Sequence, residues 1–134
     1  MSFDPGEVAA GTYAALLGIE FEEVGDGAAI GRLTVGPHLL APNGYLHAGA
    51  VVSLADTVCG FGCMASLPEG ATGFTTIELK VNYVATALEG ELRCRAELVH
   101  GGRTTQVWDA VVETAAGKQL ALFRCTQLLL YPPP

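Results

Sequence analysis

From His47 to Leu67 the chain reads HAGAVVSLADTVCGFGCMASL, and Asp56 is the only formally charged side chain in that stretch. No proline interrupts it and Pro68-Glu69-Gly70 stops it, so the spacing predicts one helix of about five turns. Apolar residues fall on nearly every side of that helix, the pattern of an element buried in a fold and not of an amphipathic surface helix. An isolated carboxylate in such a place costs several kcal/mol unless it is paired or neutralised. The residues three and four positions away are Val52, Ser53, Cys59 and Gly60, which leave small-walled space beside the acid. A buried acid with room next to it has the character of a reagent. The bland alternative is a structural carboxylate satisfied by a neighbouring subunit.

The same stretch is long enough to suggest a membrane span. A mid-span Asp56 would cost roughly 3 kcal/mol on insertion, and the Gly and Ser content suits a soluble core better. The N-terminus, MSFDPGEVAAGTY, shows neither a basic n-region nor an apolar h-region, so no signal peptide is expected and the cytoplasm is the expected compartment. A length of 134 residues supports one domain, spanning 1–134, and a hydrophobic share of 50% lies far from the disordered range. Seven Lys and Arg stand against 14 Asp and Glu, for a net charge of −7, which argues against a nucleic-acid-binding face but leaves room for local contacts to a phosphate-bearing small molecule. Cys59, Cys63, Cys94 and Cys125 form no CxxC pair. Cys59 and Cys63 share a helix face at i,i+4, a geometry open to a metal, but buried thiols in a reducing compartment are the simpler reading, and neither a metal nor a cofactor is expected.

No repeat, linker or low-complexity segment divides the chain. Residues 5–17 suggest a short amphipathic helix opened by Asp4-Pro5 and closed by Gly18. Ile19–Val24 and Ala28–Val35 read as strands joined by Gly25-Asp26-Gly27. After the long helix the period changes to two. In Thr75–Val84, Ile77, Leu79, Val81 and Tyr83 alternate with Glu78, Lys80 and Asn82; in Glu91–Val99, Leu92, Cys94, Ala96 and Leu98 alternate with charged residues. His100-Gly101-Gly102-Arg103 turns into Thr104–Thr114, where Trp108, Ala110 and Val112 share a face. Ala115-Ala116-Gly117-Lys118 turns into Gln119–Tyr131, a nearly continuous apolar strand ended by Pro132–Pro134. Short turns make such strands antiparallel. The sum is an α+β domain in which a curved antiparallel sheet wraps one buried helix.

The run Asn43-Gly44-Tyr45-Leu46-His47-Ala48-Gly49, followed by Leu54-Ala55-Asp56, resembles the signature of hotdog-fold acyl-CoA thioesterases of the PaaI-like (phenylacetate-pathway) group. That signature is a glycine, His-Gly-Gly at the helix start and Leu-x-Asp, with His47 and Asp56 here at the family's spacing. The segment TTIELKVNYV resembles the family's strand after the helix, and Gly102-Arg103 its hairpin, so the likeness spans roughly 15–131. The resemblance implies hydrolysis of a CoA thioester, and subunits joined edge to edge as a homodimer or a dimer of dimers with active sites at the interface. Asp56 matches the family's catalytic carboxylate, the Ala48 N–H its oxyanion donor, and Thr76 a hydroxyl that helps hold the hydrolytic water in some members. Two positions depart from the pattern. Ala48 replaces the first glycine, and Ala41 stands where an amide six residues before the His is usual; Asn43 either substitutes for that amide or only shapes the turn with Gly44.

The chemistry stands on its own terms too. Thioester hydrolysis needs a group that attacks the carbonyl or activates water, and donors for the oxyanion. The first N–H groups of a helix are unsatisfied and sit at its positive end, the place of His47, Ala48 and Gly49. No GxSxG elbow surrounds Ser53 and no Cys–His pair follows from spacing, so Asp56 takes the attacking or base role. His47 suits an orienting or capping role over that of a base, and His38 and His100 read as loop residues. Lys80, Asn82 and Arg103 are candidates for CoA contacts, against the plain reading of solvated strand and turn residues. Two other classes stay open: an acyl-CoA-binding sensor that does not cleave its ligand, and a hotdog dehydratase or hydratase, whose paired His and acid this pattern lacks. The resemblance implies an aromatic acyl group first, and a short or medium aliphatic one next. Surplus apolar surface on the helix and on Leu120–Tyr131, with Thr75–Val84 as a possible sheet edge, points independently to a self-associating chain.

Overall fold

A computed structural model describes residues 3–134. Its elements in chain order are α1 (Pro5–Ala9), α2 (Tyr13–Leu17), β1 (Glu20–Gly25), β2 (Ala28–Val35), a single 3-10 turn (Pro37–Leu39), α3 (Ala48–Ala65), β3 (Gly73–Tyr83), β4 (Gly90–Gly101), β5 (Thr105–Thr114) and β6 (Gln119–Leu130). The strands form one six-stranded sheet in the order β1-β2-β4-β5-β6-β3, every neighbour antiparallel. All six strands touch α3. This is the hotdog arrangement, a sheet rolled around one helix.

The expected single helix over 5–17 is instead two short ones. Asp4 caps α1 by accepting from the Gly6 and Glu7 N–H groups, and Gly11 then takes φ +75, a left-handed turn that ends any continuous helix before α2. The long helix runs as expected, its ends trimmed to Ala48 and Ala65 because His47 and Ser66 serve as caps. It is long and apolar enough to cross a bilayer, yet Leu54, Ala55, Val58, Cys59 and Cys63 are fully buried in the sheet's concave face. Two glycines permit the close fit. A Cβ on Gly62 would lie 2.6 Å from the Trp108 ring, and one on Gly31 of β2 would lie 2.6 Å from Val58. The opposing wall is the inward phase of the strands: Leu92 and Cys94, Trp108 and Val112, Ala121, Cys125 and Gln127.

β3 behaves differently from its alternation. It lies at the sheet edge, paired only with β6, and carries a bulge between Thr76 and Glu78. The extra residue, Ile77, resets the phase. Thr76 opposes Gln127 on the inward face, and after the bulge Leu79, Val81 and Tyr83 oppose Cys125, Phe123 and Ala121 on that same face. Ile77, Leu79 and Tyr83 nonetheless remain 57%, 43% and 44% exposed, so this strand is not half-buried within one protomer. Most of the positive charge is spent at the sheet surface: Arg32 pairs with Glu20, Arg93 with Glu22, Arg95 with Glu113 and Arg124 with Asp109.

Candidate active site

Asp56 projects from the middle of α3 beside an apolar cavity of about 230 Å³ lined by Val8, Thr57, Gly60, Phe61, Met64 and Phe74. Gly60, one turn further on, lets the Phe74 ring approach, since a Cβ there would meet Phe74 Cζ at 3.0 Å. The Asp56 Oδ1 is buried and has no hydrogen-bond partner among the described residues. Burial pushes the carboxyl pKa above the ordinary aspartate value, and the Thr76 hydroxyl lies nearby. That hydroxyl gives its proton to Gln127 Oε1, at 2.6 Å, and not to the acid.

The other half of the expected site is the helix start. His47 caps α3, its Nδ1 accepting from the Gly49 N–H at 2.7 Å, while the Ala50 N–H bonds the His47 carbonyl at 3.0 Å. Gly49, expected as an oxyanion donor beside Ala48, is therefore already engaged. The Ala48 N–H keeps no acceptor among the described residues and points from the helix's positive end. The Tyr83 hydroxyl donates to the Ala48 carbonyl at 2.9 Å, tying the end of β3 to this turn. Ser53 gives its proton to the Gly49 carbonyl at 2.6 Å, a helix-internal bond that leaves it no nucleophile's role. Asn43 shapes the preceding turn: its Oδ1 accepts from the Tyr45 N–H at 3.1 Å, and Gly44 takes φ +89.

Asp56 and Ala48 lie eight residues apart on one helix, about 12 Å along its axis. One thioester carbonyl cannot touch both within a single protomer. Lys80 and Asn82 sit on the convex face of β3, beside Arg124 and Asp109 and opposite in phase to Thr76, so one chain does not bring them to Asp56. Arg103 occupies the β4–β5 turn, where the Tyr131 hydroxyl bonds its carbonyl. The four cysteines are free and buried, and no group of three or more His, Cys, Asp or Glu able to hold a metal occurs among the described residues. Sequence reasoning missed Gln127, although its signal was present as an amide in phase with Cys125 and Leu129. It also missed the cavity-lining Phe61 and Met64, because α3 is apolar all round and marks no face, and Phe74, which stands at the start of β3.

Comparison with known proteins agrees with this fold. The family model for the thioesterase superfamily matches residues 43–121. A 1,4-dihydroxy-2-naphthoyl-CoA hydrolase from Listeria monocytogenes is 34% identical over 110 residues, which cover 82% of this chain and 89% of that protein. A mutant of the thioesterase PA1618 from Pseudomonas aeruginosa superimposes with a TM-score of 0.91 at 26% identity, covering 98% of this chain and 97% of the other. The PaaI protein of the Escherichia coli phenylacetic acid degradation operon superimposes at 0.80 with 25% identity, covering 87% of this chain and 83% of that one.

Proposed function

Because this chain belongs to the thioesterase superfamily, we propose that it hydrolyses an acyl-CoA thioester to the free acid and CoA. The observation that carries the reading is Asp56, a carboxylate with a buried, unpartnered oxygen at the wall of an apolar cavity. A raised pKa suits an acid that must take a proton from water and return it within one cycle. Water adds to the carbonyl carbon as Asp56 accepts its proton. The carbonyl π pair moves to oxygen, where the Ala48 N–H and the helix start stabilise it. Collapse re-forms the carbonyl and breaks the C–S bond, and the departing sulfur takes the proton from Asp56.

The 12 Å separation on α3 supports a site assembled from two chains, the helix start from one and Asp56 from the other. The exposed Ile77, Leu79 and Tyr83 on an edge strand favour β3 as the seam, and a dimer of dimers is the larger form we propose. Lys80, Asn82 and Arg103 are then the cations and amide available to CoA across or beside that seam. The aromatic and thioether walls of Phe61, Phe74 and Met64 favour an aryl-acyl group. Four buried free thiols favour a reducing cytoplasm.

A panel of aryl- and alkyl-CoAs, read by release of free thiol, tests the reading. The wild type is expected to turn over aryl-CoAs best. Asp56→Asn is expected to lose at least about a hundredfold in kcat, roughly 3 kcal/mol of barrier, with KM little changed. Near-normal turnover by Asp56→Asn would remove Asp56 from the mechanism. Tight acyl-CoA binding by the wild type with no thiol release would make the protein a sensor.

A further inference from the structure

Gln127 is a fully buried amide on the inward face of β6, and a polar group in such a place is costly unless it is bonded. Its Nε2 has only a weak contact, 3.6 Å from Cys125 Sγ. Its Oε1 accepts the Thr76 proton at 2.6 Å. A hydroxyl has one proton, so Thr76 can offer only lone pairs towards Asp56. An ionised Asp56 also offers only lone pairs. Two acceptors cannot bond one another, which accounts for the unpartnered Oδ1.

We propose that Gln127 is a positioning residue that holds Thr76 as a hydrogen-bond acceptor, so that Thr76 and Asp56 together orient the hydrolytic water. The inference rests on the hydrolase reading above. A water between two acceptors donates one proton to each, and its free lone pair is left facing the thioester carbonyl. Attack then forms the O–C bond while the proton shared with Asp56 transfers to it; the proton shared with Thr76 stays on the new acid group. The bulge at Ile77 is what delivers Thr76 to the face where Gln127 can fix it. The walls of the Asp56 cavity carry no other charge. The titratable groups gathered around Asp56 are thiols: Cys59 on α3, and beyond it Cys125 on β6 and Cys94 on β4.

The proposal separates from a merely structural amide through the pH dependence of kcat/KM. Gln127→Met removes the acceptor and returns the Thr76 proton to Asp56, which stabilises the carboxylate. Its acid limb should move down by about half a pH unit or more, and kcat should fall about tenfold with KM little changed. Gln127→Glu keeps an acceptor and adds a negative charge, so its limb should move up. On a Thr76→Val background, Gln127→Met should add no further loss in kcat. Folding of each variant is checked by its thermal melt, and Gln127→Glu serves if the Met variant does not fold. Limbs unmoved in folded variants, or a full tenfold loss that persists on the Thr76→Val background, would overturn the role. If Asp56→Asn is inactive while the Gln127 variants behave as wild type, the hydrolase reading stands and only the positioning role falls.

Discussion

Asp56 makes the folded state less stable than a neutral side chain would at the same place. Its pKa is raised by burial, so as pH climbs the unfolded chain releases this proton first, near the ordinary aspartate value of about 3.9. Through the interval up to the folded pKa the unfolded state gains, and above it the folded state carries a constant penalty. Asp56→Asn should therefore melt higher than the wild type at pH 7 to 8. That advantage should shrink as pH falls towards 4. Thermal melts across pH check this, and an equal or lower melting point for the variant at neutral pH would contradict the penalty. Asp56 was legible in the sequence because a lone charge in an apolar helix demands a reason. Thr76 was not legible from alternation, which puts it on the face of Glu78 and Lys80; only the bulge at Ile77 turns it inward. Gln127 was hidden for the opposite reason, as an amide on the inward row of β6 among Phe123, Cys125 and Leu129.

The start of α3 is a second testable unit. His47 lies at φ −66 and ψ 131, an extended conformation compatible with a following proline. The Ala48 N–H makes no internal bond, so Ala48→Pro removes only the group assigned to the oxyanion. The variant should melt within about 2 °C of the wild type and lose on the order of a hundredfold in kcat. A folded and fully active Ala48→Pro protein would show that the oxyanion is held elsewhere. Element types and order were readable here because period and turn residues agree. Asp26-Gly27 closes β1 to β2 with Gly27 at φ +80, and the inward rows of β4 and β5 are those the alternation predicts. The N-terminal segment is two helices and not one because Gly11 takes a left-handed backbone between them. The cap by His47 was readable from its place just before the helix, and its Nδ1 does accept from the Gly49 N–H.

At the scale of the assembly, the proposed shared site makes a sharp expectation. Asp56→Asn and Ala48→Pro proteins, each inactive alone, should regain activity when mixed and allowed to exchange subunits. Random exchange gives half heterodimers with one intact site of two, hence about a quarter of wild-type activity. Sedimentation of a fully active monomer at assay concentration would defeat the shared site. The strand order was not fixed by local pattern, but β3 does lie at the sheet edge, and exposed apolar residues occur on it and at Leu122, Leu128 and Leu130 of β6. The ion pairs at the sheet surface have a further consequence for how a polyanion arrives. With Arg32, Arg93, Arg95 and Arg124 already neutralised by carboxylates, and a net charge of −7, the far field of this protein repels a polyanion such as CoA, and the contacts proposed at Lys80 and Arg103 would act only at close range. Added salt screens the repulsion over about 10 Å at 0.1 M. Capture of substrate should therefore quicken as ionic strength rises from low values, the reverse of an electrostatically steered enzyme, and kcat/KM measured across a salt series reads it directly.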